Sequence, residues 1–186
     1  MTGLDGGGDL VVVSVGTDHH PFNRLMGWVE SWLARPEATG VRCVVQAGTS
    51  RPPSSAISRS LVPHDELMDL MRQARGVVTH GGPATILDAR EAGHVPIVVP
   101  RRRSLGEHVD DHQVAFCRRV SEEGLIKLAA TEDELFSLLD QARRAEAPPA
   151  QAAAAPGIGA FIACAQRLLL APPRHAPIRL MAHRLP

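Results

Sequence analysis

The sequence predicts a doubly wound α/β domain with a mainly parallel, Rossmann-like sheet. Short β-branched runs alternate with segments of helical period along most of the chain, the order expected of strand–helix–strand units. The runs are continuously apolar rather than alternating, as strands covered by helices on both faces are. Several of them close on glycine or proline, which places turns, and therefore loops with chemistry, at one rim of the sheet.

Residues 10–15 form the first run and end at Gly16-Thr17. Phe22, Leu25, Met26, Val29, Trp32 and Leu33 then recur at helical spacing, and residues 41–47 supply the second strand, closed by Gly48. After a Pro/Ser/Arg-rich loop, an apolar stretch around residues 60–62 meets Pro63, and Leu67, Met68, Leu70 and Met71 mark a helix. Residues 76–79 read as a strand entering His80-Gly81-Gly82-Pro83, and residues 84–92 as a helix stopped by Gly93. Residues 95–99 are the next strand. A helix through Val114, Ala115 and Phe116 follows, then a last strand over 125–128 and a helix over 132–144 with Thr131 as its N-cap. The Ala/Pro-rich stretch 146–157 reads as a linker, and 158–186 as one further helix with a mobile Pro/Arg/His tail. The compact domain is therefore expected over 1–145.

Composition narrows the function. The chain has 186 residues, 44% of them hydrophobic, with 20 basic side chains balanced by 20 acidic ones. A net charge of zero and 3% aromatic content with no tyrosine supply neither the basic footprint nor the stacking platform of a nucleic-acid binder. No apolar run approaches the roughly 20 residues that span a bilayer, so a cytoplasmic protein is expected. Cys43, Cys117 and Cys164 are widely spaced without a C-x-x-C pair, and are expected to be reduced and buried.

Thr79-His80-Gly81-Gly82-Pro83-Ala84-Thr85-Ile86-Leu87-Asp88 carries the most chemistry. Two glycines between a strand and a helix let a ligand approach the backbone, where first-turn amides favour an anion. Pro83 suits that turn without an N–H, leaving Ala84 and Thr85 as donors, with the Thr85 hydroxyl and His80 beside them. Asp88 lies one turn further along nearly the same face, within reach of paired hydroxyls such as a ribose. The same residues also suit a plain turn in which Thr85 caps the helix and Asp88 is solvated, and the residues alone leave both readings open. Neither a P-loop nor a dinucleotide fingerprint is present.

Three other segments invite a function and have an ordinary reading. Gly106-Glu107-His108-Val109-Asp110-Asp111-His112-Gln113 suits a hydrogen-bonding rim or a polar helix start; His108 and His112 are spaced like metal ligands but lack the H-E-x-x-H pattern, and no metal is expected. Thr17-Asp18-His19-His20 lies beside the first strand's end and reads as a polar loop. Arg101-Arg102-Arg103 reads as a solvated charge run rather than a phosphate or membrane contact.

Taken together, these segments resemble the donor-binding half of GT-B glycosyltransferases, the family 28 C-terminal domain and its free-standing Alg13-like or EpsE/PssE-like versions. Val11-Val12-Val13-Ser14-Val15-Gly16-Thr17 with Pro21-Phe22-Asn23-Arg24-Leu25 is similar to the opening of the free-standing subunits. The segments 79–88 and 106–113 resemble the nucleotide-sugar motifs, in the same order. The resemblance implies that Gly16 and Thr17 border a diphosphate, that His80, Gly81, Gly82 and Thr85 hold it, and that Asp88 takes the ribose. It further implies Val62 and the His64 backbone as a uracil wall, and His112 and Gln113 as sugar contacts. Asp88 stands where many relatives have Glu, and His112-Gln113 replaces Asp-Gln or Gln-Gln. The implied protein is an inverting UDP-sugar glycosyltransferase subunit with no cofactor or metal. It would act with a membrane-associated acceptor subunit on a lipid-linked acceptor, at the cytosolic face through that partner. The catalytic base is not assigned. The helix after the linker would dock on the partner or pack on its own domain. A non-catalytic nucleotide-sugar-binding or regulatory module is the alternative reading; an epimerase is disfavoured because such enzymes carry two domains in one chain.

Overall fold

The computed structural model describes residues 9–145 and 157–170. Six parallel strands form one sheet: β1 (Leu10–Ser14), β2 (Arg42–Gln46), β3 (Ile57–Arg59), β4 (Gly76–His80), β5 (Ile97–Val99) and β6 (Lys127–Leu128). Their order is β3-β2-β1-β4-β5-β6, the doubly wound arrangement in which the chain reverses direction across the sheet between β1 and β4. Val13 pairs with Val45 on one side and with Val78 on the other, so β1 is the centre of the fold.

Six helices cover the sheet: α1 (Asn23–Leu33), α2 (His64–Gln73), α3 (Pro83–Glu91), α4 (His112–Glu122), α5 (Glu132–Arg144) and α6 (Ile158–Leu170). Successive strand side chains point to opposite faces, which is why the apolar run of β1 serves two cores. Val11 and Val13 join a core with Leu25, Met26 and Trp32 of α1 and with Leu135 and Leu139 of α5. Leu10 and Val12 join the opposite one, with Leu67, Met68 and Met71 of α2 and Ala89 of α3. Trp32 is fully buried, and its indole N–H donates to Asp140 at 3.0 Å. At the start of α5, Thr131 and Glu134 form a reciprocal capping box.

Three strand boundaries differ from the sequence expectation. The third strand lies at 57–59 rather than near 60–62: it is a sheet edge whose Ile57 is exposed, so backbone pairing defines it and no apolar signal marks it. The apolar signal belongs to Val62, which is buried in the following loop. β5 and β6 are shorter than their apolar runs because Val95, Leu125 and Ile126 lie outside the ladder. α6 packs on its own domain, with Phe161 edge-on to Phe116 of α4 at 6.1 Å between ring centroids and Cys164 buried in the same core. The linker over 146–156 and the tail over 171–186 lie outside the described residues. The three cysteines are free and buried.

Candidate functional site

A cleft of ≈ 630 Å³ opens beyond the carboxyl ends of β1 and β4, at the point where the strand order reverses. Of the residues predicted for a site, Gly16, Thr17, Val62, His64, His80, Gly82, Thr85, Asp88 and Gln113 all line it. Gly81 and His112 do not. Ser14, Asp18, Gln46 and His108 also line the cleft, together with Pro83 and Ala84.

The β1 side is built on buried polar groups. Gln46 donates through Nε2 to Ser14 Oγ at 3.2 Å and accepts the Val62 N–H on Oε1 at 3.0 Å. One carboxamide thus ties the ends of β1 and β2 to the wall formed by 62–64. It also occupies the Val62 amide, so Val62 offers the cleft its apolar body and no backbone donor. His64 opens α2, where its N–H belongs to the set a helix leaves without an intrahelical acceptor. Gln46 was invisible as a site residue because nothing in a strand run distinguishes an inward amide from an edge one.

On the β4 side, Gly82 is the N-cap of α3 and Pro83 its first residue, so the N–H groups of Ala84 and Thr85 belong to the free first turn. Thr85 is inside the helix and its side chain caps nothing, which removes the capping reading. His80 is buried directly below both glycines. A Cβ at Gly82 would stand 2.2 Å from His80 Nε2, and one at Gly16, whose φ is +74°, 2.5 Å from Cε1. Burial, reinforced by the charge of Arg101, pushes the His80 pKa down to about 4, against the opposing pull of the Ser14 backbone and Asp18. The ring is therefore neutral near pH 7, one N–H donor under a bed of backbone. Burial raises the Asp88 carboxyl above its ordinary value; His64 opposes this and Glu91 adds to it.

The third wall comes from β5 and α4. Gly81 faces α4 rather than the cleft: an added Cβ would meet Cys117 Sγ at 2.8 Å and Gln113 Cβ at 2.9 Å. Its role is close packing, which brings Gln113 to the cleft. Gln113 Oε1 accepts the Arg101 N–H at 3.3 Å, a bond that turns its Nε2 into the remaining donor. His112 sits at the first turn of α4 with its ring 87% exposed and pairs with Asp110 at 2.8 Å. Burial pushes the thiol of Cys117 up to about 12, as it does that of Cys43, so neither is a nucleophile near neutral pH.

The arginine run is corrected at its first member. Arg101 is fully buried and donates to the carbonyls of Val15, His20 and Glu107 at 3.0, 2.7 and 3.0 Å. Arg102 is half-buried and bonds the Ala130 carbonyl; Arg103 alone is exposed. Charge-run statistics fail here because Arg101 follows Pro100 at the end of an interior strand, where three loop carbonyls need a donor. The polar loop at Asp18 is also more than a solvated turn. Burial works against the Asp18 charge, but the His20 N–H and ring, with Arg101 nearby, hold its carboxyl below the ordinary range.

A family model for the glycosyltransferase family 28 C-terminal domain matches residues 10–168, the greater part of the chain and all three walls of the cleft. This chain belongs to that family. Solved structures share the fold of this family 28 domain. The glycosyltransferase of kitacinnamycin is similar over 92% of this chain and 41% of its own, at 19% identity and a TM-score of 0.56. The calicheamicin glycosyltransferase CalG4 is similar over 91% and 40%, at 15% identity and a TM-score of 0.54. An NMR structure of ALG13 is similar over 87% of this chain and 94% of its own, at 19% identity and a TM-score of 0.49. The family 28 domain spans about two-fifths of the length of the first two enzymes. No sequence match to a curated protein was found. Among the described residues, no helix is long and apolar enough to cross a membrane.

Proposed function

We propose that this family 28 domain binds the UDP-sugar donor of an inverting glycosyltransferase, and that a separate, membrane-associated subunit holds a lipid-linked acceptor at the cytosolic face. The observation that carries the reading is the convergence of nine of the eleven residues singled out from the sequence on one cleft at the switch point. In this reading the diphosphate lies over Gly16 and Gly82, where the absence of side chains admits it, and receives the amides of Ala84 and Thr85 at the positive end of α3. The ribose hydroxyls meet Asp88, the uracil lies against Val62 and the His64 backbone, and Gln113 Nε2 donates to the sugar. His112, exposed and paired with Asp110 outside the cleft lining, is left to the outer edge of the sugar site.

Such an arrangement accelerates transfer electrostatically. As the glycosidic bond to the diphosphate breaks, negative charge grows on the leaving phosphate, and fixed amide donors stabilise it without reorganising, over the His80 ring that packs beneath them. No cofactor enters the step.

The test is thermal unfolding of the chain with UDP, ADP and their sugars. At about a hundredfold over Kd, a ligand of the native state adds roughly 2.7 kcal/mol, a shift of about 5–10 °C for a chain of this size. UDP is expected to give the shift and ADP not, and Thr85→Ala to reduce it. Equal shifts with ADP would remove the uracil wall, and no shift with any nucleotide would reject the donor reading.

A further inference from the structure

We propose that Asp18, His19, His20 and His108 form a site for a divalent cation of the zinc class at the mouth of the cleft. The Asp18 carboxylate stands at the centre of the group. His20 Nδ1 is 2.7 Å and His19 Nδ1 3.6 Å from its Oδ1, and His108 Nε2 is 3.4 Å from its Oδ2. The donor atoms of Asp18, His19 and His20 all lie within 4.8 Å of one another. Ligands at the roughly 2.0–2.2 Å bond lengths of zinc stand about 3.3 Å apart, so Asp18, His19 and His20 draw together by up to about 1.5 Å to close on one ion, and His108, whose ring centroid is 6.2 Å from that of His20, swings in from the facing loop. Three imidazoles with one carboxylate, and no thiolate, is a donor set for zinc, cobalt or nickel rather than for magnesium or calcium.

Two independent features support a built site. The first lies behind His108, where Nδ1 accepts the Asp110 N–H at 3.4 Å and stands 3.3 Å from Asp110 Oδ1 while Nε2 faces Asp18. Asp110 thereby orients the His108 ring toward Asp18, as outer-shell groups orient metal-bound imidazoles. The second is the fixing of two loops separated by 88 positions in sequence. The buried Arg101 holds the His20 and Glu107 carbonyls with a single Nη1, and Arg24 clamps the Glu107 carboxylate at 2.8 Å with both Nε and Nη2. The residue that precedes His108 and the carbonyl of His20 itself are thereby locked, so the ligands need little ordering on binding. His112 belongs to no part of this set, which differs from the His108/His112 clamp that sequence spacing alone offers.

The site is read without nucleotide, so it stands or falls apart from the donor assignment. Calorimetric titration of the metal-stripped full chain with Zn²⁺, and visible absorption with Co²⁺, are expected to show one equivalent bound with the intense bands of a low-coordinate cobalt centre. His20→Ala and His108→Ala are each expected to weaken that binding at least tenfold, since even outer-shell changes cost roughly 10–100-fold. The near-isosteric Asp18→Asn provides the same test with least disturbance to folding, and Asp110→Asn should weaken binding by less. His112→Ala should leave the affinity unchanged. Binding that His112→Ala weakens and His20→Ala does not would overturn the assignment in favour of the sequence-adjacent pair. Titration with no saturable equivalent would reduce the group to a hydrogen-bonded Asp–His cluster.

Discussion

At the scale of single residues, His80 makes a sharp prediction. Its pKa is depressed to about 4 in the fold, so between that value and the ordinary 6.5 the unfolded chain binds a proton that the native chain does not. Native stability is therefore complete above pH 6.5 and is lost as pH falls toward 4, by up to about 1.4 kcal/mol per pH unit. The buried His94, also lowered by desolvation, acts in the same direction. Urea denaturation from pH 7 to 4.5 should show this slope, and His80→Gln should flatten part of it; an unchanged slope in the variant would falsify the assignment. Arg101 makes the second prediction. Arg101→Met strands three carbonyls that the buried guanidinium holds, at a cost of about 3 kcal/mol or more, whereas Arg103→Met should stay within about 0.5 kcal/mol. Equal midpoints for the two variants would show that Arg101 is no anchor. The two substitutions lie two positions apart in a run of like residues, and burial is what distinguishes them.

At the scale of elements, the site depends on helices placed to aim one end each. α3 offers its N-terminus because Gly82 leaves room for His80 beneath and Pro83 begins the helix without needing an acceptor. Gly82→Ala must displace the His80 ring, and the strain is expected to cost about 1–3 kcal/mol and to abolish any UDP-induced thermal shift. α4 approaches through Gly81, so its Gln113 reaches the same space. Behind both lies α6, whose Phe161 and Cys164 fill the core against Phe116 and Ile86. Phe161→Ala should cost about 3 kcal/mol by the cavity it leaves, read from the denaturation midpoint. A negligible change would mean that α6 is dispensable to the domain. Helices were the most legible elements in the sequence. The α5 boundaries follow from Thr131, Glu134 and the apolar spacing, and α6 from its apolar run, because caps and period are local signals.

For the molecule as a whole, three apolar cores share one sheet, and β1 contributes alternate residues to two of them. The domain is therefore expected to unfold in one cooperative step, with near- and far-UV circular dichroism tracing the same transition; separated transitions would mean that the cores fold independently. The sequence by itself determined the doubly wound α/β class, five of the six strands to within a few residues, the six helices among the described residues, and the strand-to-helix turn within 79–88. These are carried by hydrophobic period, β-branching and glycine placement, which act between near neighbours in the chain. Tertiary structure alone decided the edge strand at 57–59, which backbone pairing defines without an apolar signature. It alone decided that Gly81 packs against α4 while Gly82 faces the cleft, that Gln46 ties the ends of β1 and β2 to the wall at 62–64, and that Arg101 is interior. It also left His112 paired with Asp110 while bringing His108 across 90 positions to Asp18. Each of these depends on which segments the sheet order sets side by side, and a strand order of β3-β2-β1-β4-β5-β6 is a property of the closed fold rather than of any one stretch of chain.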